Sequence, residues 1–311
     1  MKHGSPFSRT ARGAVASLGE ERLIGEIRRW LGSASPRPPG GIGDDCAVLR
    51  PARGRELITV DPVVYGVHFD DAVSPAQAAR KLLRRNLSDI AAMGGAPRAA
   101  VVALALDRTL SLRWLERFYR GLADDARRHG VPVVGGDVTF LKGAFVATLA
   151  LTGEARGRVV GRRGSRAGDW IYVTGLLGRS LPTGHHHAFA PRLAEGAWLA
   201  RRPEVRAMMD VSDGLAKDLR ALESPGARAA VLAAALPRRS GADLGEALCD
   251  GEDYELVFSV RSGARRGLLE SAWRRRFPRT RLTCIGRFVR PGSRPADAVK
   301  LEDHHGYVHL R

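Results

Sequence analysis

Lysine is nearly missing from this 311-residue chain: five lysines stand beside forty-five arginines, and with 33 acids the formal charge is +17. Aromatic residues are scarce as well, at 6%. A nucleic-acid groove combines clustered cations with stacking rings, whereas these arginines are spread along the whole chain. The charge therefore reads as a solvated basic surface, and no specific nucleic acid is expected. No apolar run approaches the ~20 residues that cross a bilayer, so no membrane span or membrane partner is expected. Cys46, Cys249 and Cys284 are too few, and odd in number, for a disulfide framework, and no C-x-x-C occurs. That fits a reducing, cytoplasmic setting. Residues 1–18 contain no acid and no continuous apolar stretch, which suits a flexible basic tail rather than a secretory signal.

Several catalytic signatures are also missing. The chain has no G-x-x-x-x-G-K-[ST] loop, no protein-kinase catalytic loop, no G-x-G-x-x-G and no G-x-S-x-G. A nucleotide-using enzyme without them must hold phosphates through metal bridges, arginines and backbone N–H groups.

What is present is a globular composition, 44% hydrophobic and 27% charged, long enough for two domains of about 150 residues. Periodicity predicts helices over Glu20–Leu31, Pro75–Met93 and Ser111–His129, with strands at Glu56–Val60, Ala99–Leu106, Val131–Val134 and Phe145–Thr152. The Gly/Arg-rich stretch 153–168 has no period and reads as a linker. Beyond it, strands are expected at Trp170–Val173, Ala229–Leu232, Glu255–Val260 and Leu282–Phe288. Helices are expected around Gly196–Met209, Gly214–Leu222 and Arg265–Arg275. The result is an α/β (α+β) chain with an N-terminal domain over 19–152 and a C-terminal α/β domain over 169–311.

In a chain poor in acids, their placement carries information. Aspartates recur beside glycines or at expected strand ends: Gly43-Asp44-Asp45, Val60-Asp61, Gly135-Gly136-Asp137, Asp210-Val211-Ser212-Asp213-Gly214 and Gly251-Glu252-Asp253, with Asp89 on a helix. Any one of these is more often a plain turn or a helix cap. Six together point to hard oxygen ligands, suited to Mg²⁺, gathered around a polyphosphate, because packing has no use for repeated acids beside glycines.

In this order the motifs resemble the thiamine-monophosphate kinase family, from Gly41-Ile42-Gly43-Asp44-Asp45-Cys46 through Gly66-Val67-His68-Phe69, Asn86-Leu87-Ser88-Asp89-Ile90-Ala91-Ala92-Met93-Gly94 and Gly168-Asp169-Trp170 to Asp210-Val211-Ser212-Asp213-Gly214 and Gly251-Glu252-Asp253-Tyr254-Glu255-Leu256. The wider superfamily is that of aminoimidazole ribonucleotide synthetase. The resemblance implies a two-domain fold of that type, whose N-terminal sheet has helices on one face and pairs with a second subunit in a homodimer. It implies transfer of phosphate from ATP to thiamine monophosphate with several Mg²⁺ ions. It places Asp45, Thr59, Asp61, Asp89, Asp137, Asp210 and Asp213 at metal positions, Gly136, Asp137, Arg162 and Ser212 at nucleotide positions, and His68, Glu252 and His304 on the substrate side.

The chain departs from the family at four points. Val60 stands where Thr is usual, Tyr65 replaces an acid, His304 aligns with a C-terminal aromatic, and 178–192 is shortened, with His185-His186-His187 in the remnant. Three adjacent imidazoles do not converge on one ion without an unusual backbone, so a polar loop is expected there. Two alternatives stay open: a superfamily paralogue that uses ATP on another anionic small molecule, and a non-catalytic nucleotide- or nucleic-acid-binding protein.

Overall fold

The computed structural model describes residues 4–43 and 45–308. They form two compact units: one contains residues up to Ile90 and Ala96–Arg156, the other Ala91–Gly95 and the chain from Gly157 onward.

The first unit holds strands β1 (Arg55–Val64), β2 (Ala96–Leu106), β3 (Val133–Phe140) and β4 (Phe145–Ala155), with helices α1 (Glu20–Leu31), α2 (Pro75–Ala92, its last residues lying in the other unit) and α3 (Leu112–His129). Helix α1 starts with Glu20 and Glu21 and ends with Arg28 and Arg29, matching the helix dipole, and buries Leu23, Ile27, Trp30 and Leu31 along one stripe. Helix α3 is capped by Ser111, whose hydroxyl accepts from Trp114 N, and is stopped by Gly130 in the left-handed region at φ 65°.

The four strands run in the order β1-β4-β2-β3, antiparallel except for the parallel β2–β3 pair. Strand alternation sorts the side chains onto two faces. Phe145, Ala147, Leu149 and Leu151 of β4 lie beside Leu106, Leu104, Val102 and Ala100 of β2 on the buried face. The opposite face is open and apolar, with Ile58 78%, Val60 60% and Val101 40% exposed.

In the second unit, β5 (Trp170–Thr174), β6 (Val205–Asp210), β7 (Arg228–Val231), β8 (Leu256–Val260) and β9 (Leu282–Val289) form an antiparallel sheet ordered β6-β8-β5-β9-β7. The helices are α4 (His185–Ala188), α5 (Leu193–Ala200), α6 (Leu215–Asp218), α7 (Leu244–Cys249) and α8 (Arg266–Arg276). Both faces are covered. One apolar cluster joins Ile171, Met209 and Val257 to Leu215 and Leu248; the other joins Tyr172, Met208 and Phe258 to Leu199, Leu269 and Trp273.

Several sequence expectations change. The helix expected over Gly196–Met209 is α5 followed by β6, since Pro203 falls between them and Val205–Met209 fills a place beside β8. Gly153–Ala155, assigned to the linker, continue β4 because they pair with Leu57, Glu56 and Arg55. The basic tail is hydrogen-bonded: Ser8 N reaches Thr109 O and Val15 N reaches Leu110 O, with Ala14 and Val15 buried. Gly135-Gly136-Asp137 and Val60-Asp61 lie inside β3 and β1, which are both edge strands, rather than at strand ends.

Candidate active site

In the first unit Thr59, Asp61 and Asp89 lie by the β1 edge of the sheet, whereas Asp137 lies on β3, the opposite edge. Thr59 and Asp61 sit across from Leu151 and Leu149, so alternation turns both toward the helix-covered face. There the Thr59 hydroxyl donates to Asp89 Oδ2 of α2 at 2.5 Å. Arg85, one helical turn earlier, donates to Asp61 Oδ1 at 3.2 Å and to Pro62 O at 2.7 Å. Val60 points the other way, so a hydroxyl at this position would join the open face rather than Asp61. The departure at Val60 therefore removes no oxygen from the Thr59–Asp61–Asp89 group.

The turn after β1 carries His68. Its Nδ1 accepts from Val64 N at 3.1 Å, which leaves the ring proton on Nε2. The wholly buried Lys81 donates to His68 O at 2.6 Å and so ties the turn to α2. Tyr65, in place of an acid, donates to Asp71 at 2.8 Å and packs edge-on against Phe7 and Phe69.

Gly136 has to be glycine: a Cβ there would stand 2.0 Å from Val102 O. With Gly135 and Asp137 it lines a mostly apolar pocket that includes Ile24, Ile27, Ile42 and Tyr119. Asp45 is exposed in the irregular segment before β1, and its neighbour Asp44 lies outside the described residues.

In the second unit two loops are laced together backbone to backbone. Glu252 N donates to Ser212 O at 2.7 Å and Tyr254 N to Val211 O at 2.8 Å. Gly251, at φ 69°, has no room for a side chain beside Ser212 O at 2.7 Å. Asp210 is buried at the end of β6. The loop that follows is held from below by Asp218, whose Oδ2 accepts from both Ser212 N and Asp213 N at 2.9 Å. Burial pushes the Asp218 carboxyl up to about 7 against the pull of those N–H groups.

Lys217 Nζ lies 2.5 Å from Asp213 Oδ2 and 2.7 Å from Tyr307 O, while Tyr307 N donates to Asp213 O at 2.8 Å. The backbone of Tyr307 is thus docked on the Asp213 loop, and His304 turns its ring toward Cys249 Sγ at 3.8 Å. Arg162 is exposed. Among the described residues no three His, Cys, Asp or Glu side chains are close enough to hold a metal ion by themselves.

Sequence reasoning missed Asp218, Lys217, Arg85 and Tyr307. Asp218 was discoverable in principle, as an acid one turn into a helix that follows two other acids. The histidine run is not a loop. It forms the helical turn α4, with His186 buried, because its rings find separate partners in the Gly251–Tyr254 loop and in one another.

Comparison with known proteins places the chain among relatives of one family. The family described as AIR synthase related protein, N-terminal domain, matches residues 43–157. The thiamine-monophosphate kinase of Salmonella typhimurium is 36% identical over 287 residues, covering 82% of this chain and 86% of the relative. Among solved structures, thiamine-monophosphate kinase from Stenotrophomonas maltophilia K279a superposes with a TM-score of 0.69 at 28% identity, over 93% of this chain and 96% of its own. AaThiL complexed with AMPPCP and TMP gives 0.69 at 27% identity, over 95% of this chain and 98% of that one.

Proposed function

The chain belongs to the thiamine-monophosphate kinase family, and from that premise we propose that it transfers the γ-phosphoryl group of ATP to thiamine monophosphate, giving thiamine diphosphate and ADP. The observation that carries this reading is the grouping of Thr59, Asp61 and Asp89 on one face of the sheet edge. Every donor there is a hard oxygen, the chemistry Mg²⁺ selects, and Mg²⁺ commonly takes one or two carboxylates and completes its shell with phosphate oxygens. A protein cage of three carboxylates is therefore not required. The residues of the first unit fit: Thr59, Asp61 and Asp89 would hold Mg²⁺; the family resemblance adds Asp45 and Asp137 of the same unit, and Asp210 and Asp213 of the second unit, as further ligand positions. Bound there, the ion would screen the phosphates and stabilise charge on the transferring group.

The rest falls to the chain's own groups. Gly136 lets β3 lie against Val102 of β2 without a clash, and the family resemblance assigns Gly136 and Asp137 of the first unit, and Arg162 and Ser212 of the second, to nucleotide contacts. Asp218 keeps the Ser212–Asp213 turn in one conformation through its two N–H bonds. To the acceptor the family resemblance assigns His68 of the first unit, and Glu252 and His304 of the second. A phosphate monoester has its second pKa near 6, so the attacking oxygen is already largely ionised at pH 7 and no general base is needed. The bond from that oxygen to the γ-phosphorus forms as the bond to the β,γ-bridging oxygen breaks, and ADP leaves with the electron pair.

The open face bearing Ile58, Val60 and Val101 supports a homodimer formed sheet to sheet, since a monomer gains nothing by leaving it in water. Three free cysteines suit a cytoplasmic location, and no described helix is long and apolar enough to cross a membrane.

The test is a product assay with purified protein, ATP, Mg²⁺ and thiamine monophosphate. Thiamine diphosphate in step with ADP is the expected result. ADP released without it would overturn the acceptor and point to another anionic small molecule; neither product would overturn the activity.

A further inference from the structure

The proposed reaction leaves the run His185-His186-His187 unused, yet the segment that contains it is among the most heavily bonded in the second unit. From Gly178 to Phe189 the chain lies against the loop Asp250–Glu255. Arg179 N donates to Asp250 Oδ2 at 2.7 Å. Gly178 N and the Ser180 hydroxyl both donate to the Asp253 carboxylate, at 3.1 and 2.7 Å, and Arg239 meets the same group at 2.6 Å. Asp253 is 1% exposed, so these bonds are shielded from competing water. His185 Nε2 is 3.0 Å from Asp253 O; a carbonyl only accepts, so Nε2 carries the proton. The Phe189 ring stacks on Tyr254 at 4.1 Å and 17°.

What the segment holds is strained. Glu252 and Tyr254, neither of them glycine, have φ of 53° and 51°, a conformation that persists only where the surroundings enforce it. The Glu252 side chain is 21% exposed. His186, 6% exposed, stands behind it with Nδ1 3.5 Å from Glu252 Oε2.

We infer that Gly178–Phe189 is a clamp that fixes the loop Gly251–Tyr254, and that His186 is a positioning residue that aims Glu252 at the phosphate acceptor. This rests on the acceptor-side role proposed for Glu252. It gives the shortened segment a purpose: a short stretch with one buried imidazole, His186, packs on the loop, and its three rings serve contacts rather than a metal.

The experiment compares His186→Ala and His186→Asn with the unaltered protein. Steady-state kinetics is read for each substrate, and amide hydrogen exchange is followed over 250–255. Asparagine places an N–H donor near the position of imidazole Nδ1. For His186→Ala the expected result is a rise of about tenfold in KM for thiamine monophosphate with KM for ATP unchanged, together with faster exchange at 251–254. His186→Asn should restore both. An unchanged acceptor KM, equal rises in both KM values, or no rescue by asparagine would overturn the positioning role. If the unaltered protein makes no thiamine diphosphate, the proposed function fails on that result alone. Hydrogen exchange then decides the clamp without it: unchanged exchange at 251–254 in His186→Ala overturns the clamp, and faster exchange supports it.

Discussion

The hydroxyl of Thr59, on an edge strand, donates to the carboxylate of Asp89, on a helix, over 2.5 Å. The bond holds one oxygen of Asp89 against β1, and two residues further along that strand Asp61 takes a bond from Arg85 of the same helix. It joins two residues thirty positions apart in the chain, and makes them one oxygen-donor group.

Removing that group should cost activity before it costs stability. Asp89→Ala and, in the other unit, Asp213→Ala are expected to lower turnover by about 10²- to 10³-fold, the range seen when a single charge-stabilising group is lost. Thermal unfolding should shift by only a few degrees. Thr59→Val keeps the shape and loses only the donor, so a smaller loss of about tenfold is expected. Kinetics alongside circular dichroism checks both, and wild-type turnover in either alanine variant would remove that residue from the site.

Stability in the first unit depends on a different pair. Arg84 of α2 donates to both carboxylate oxygens of Asp125 on α3, at 2.8 and 2.7 Å, and the Asp125 side chain is 1% exposed. Asp125→Ala removes this carboxylate from beside a buried guanidinium. The expected loss is about 3 kcal/mol, read from urea unfolding midpoints, and Arg84→Met should cost less because no charge remains.

The homodimer proposed above uses the open sheet face. Val60→Asp places a charge among Ile58, Val60 and Val101, away from Thr59 and Asp61. Sedimentation equilibrium should show a dimer for the unaltered protein and a monomer for the variant. A dimer that survives the charge would show that this face is not the interface.

Acidification should weaken the clamp through His185. Burial lowers its pKa below the usual value of 6.5, Arg239 and Arg192 push the same way, and the Asp253 carbonyl and Glu255 oppose. The folded protein therefore resists a proton that the unfolded chain accepts. This contribution to stability is whole above pH 6.5 and is lost as pH falls from there through the lower folded value. Urea unfolding between pH 7.5 and pH 5 should show a shallower decline for His185→Gln, which keeps a donor near the Nε2 position and does not titrate. Parallel curves for the two proteins would count against it.

Much of the site was legible locally. Glycine beside aspartate is a backbone signal as well as a chemical one, and the motifs retain it: Gly136 and Gly251 are required by close backbone contacts at Val102 O and Ser212 O. Capping and charge placed α1 and α3 correctly because those signals lie within one turn of each helix end. The stretch Gly196–Met209 was misjudged, since an apolar run beside a proline has no period that separates helix from buried strand; the pairing with β8 decided it.

By itself the sequence determined the fold class, the family and the identity of the acidic residues, because these depend on composition and on order along the chain. Tertiary structure alone decided that Thr59 and Asp61 face the helices while Val60 faces outward, that Asp218 rather than a neighbour holds the Ser212–Asp213 turn, and that three histidines go to three different contacts. Each of these depends on which distant segment arrives beside the residue. Burial and hydrogen-bond partners are properties of that meeting, not of the segment alone.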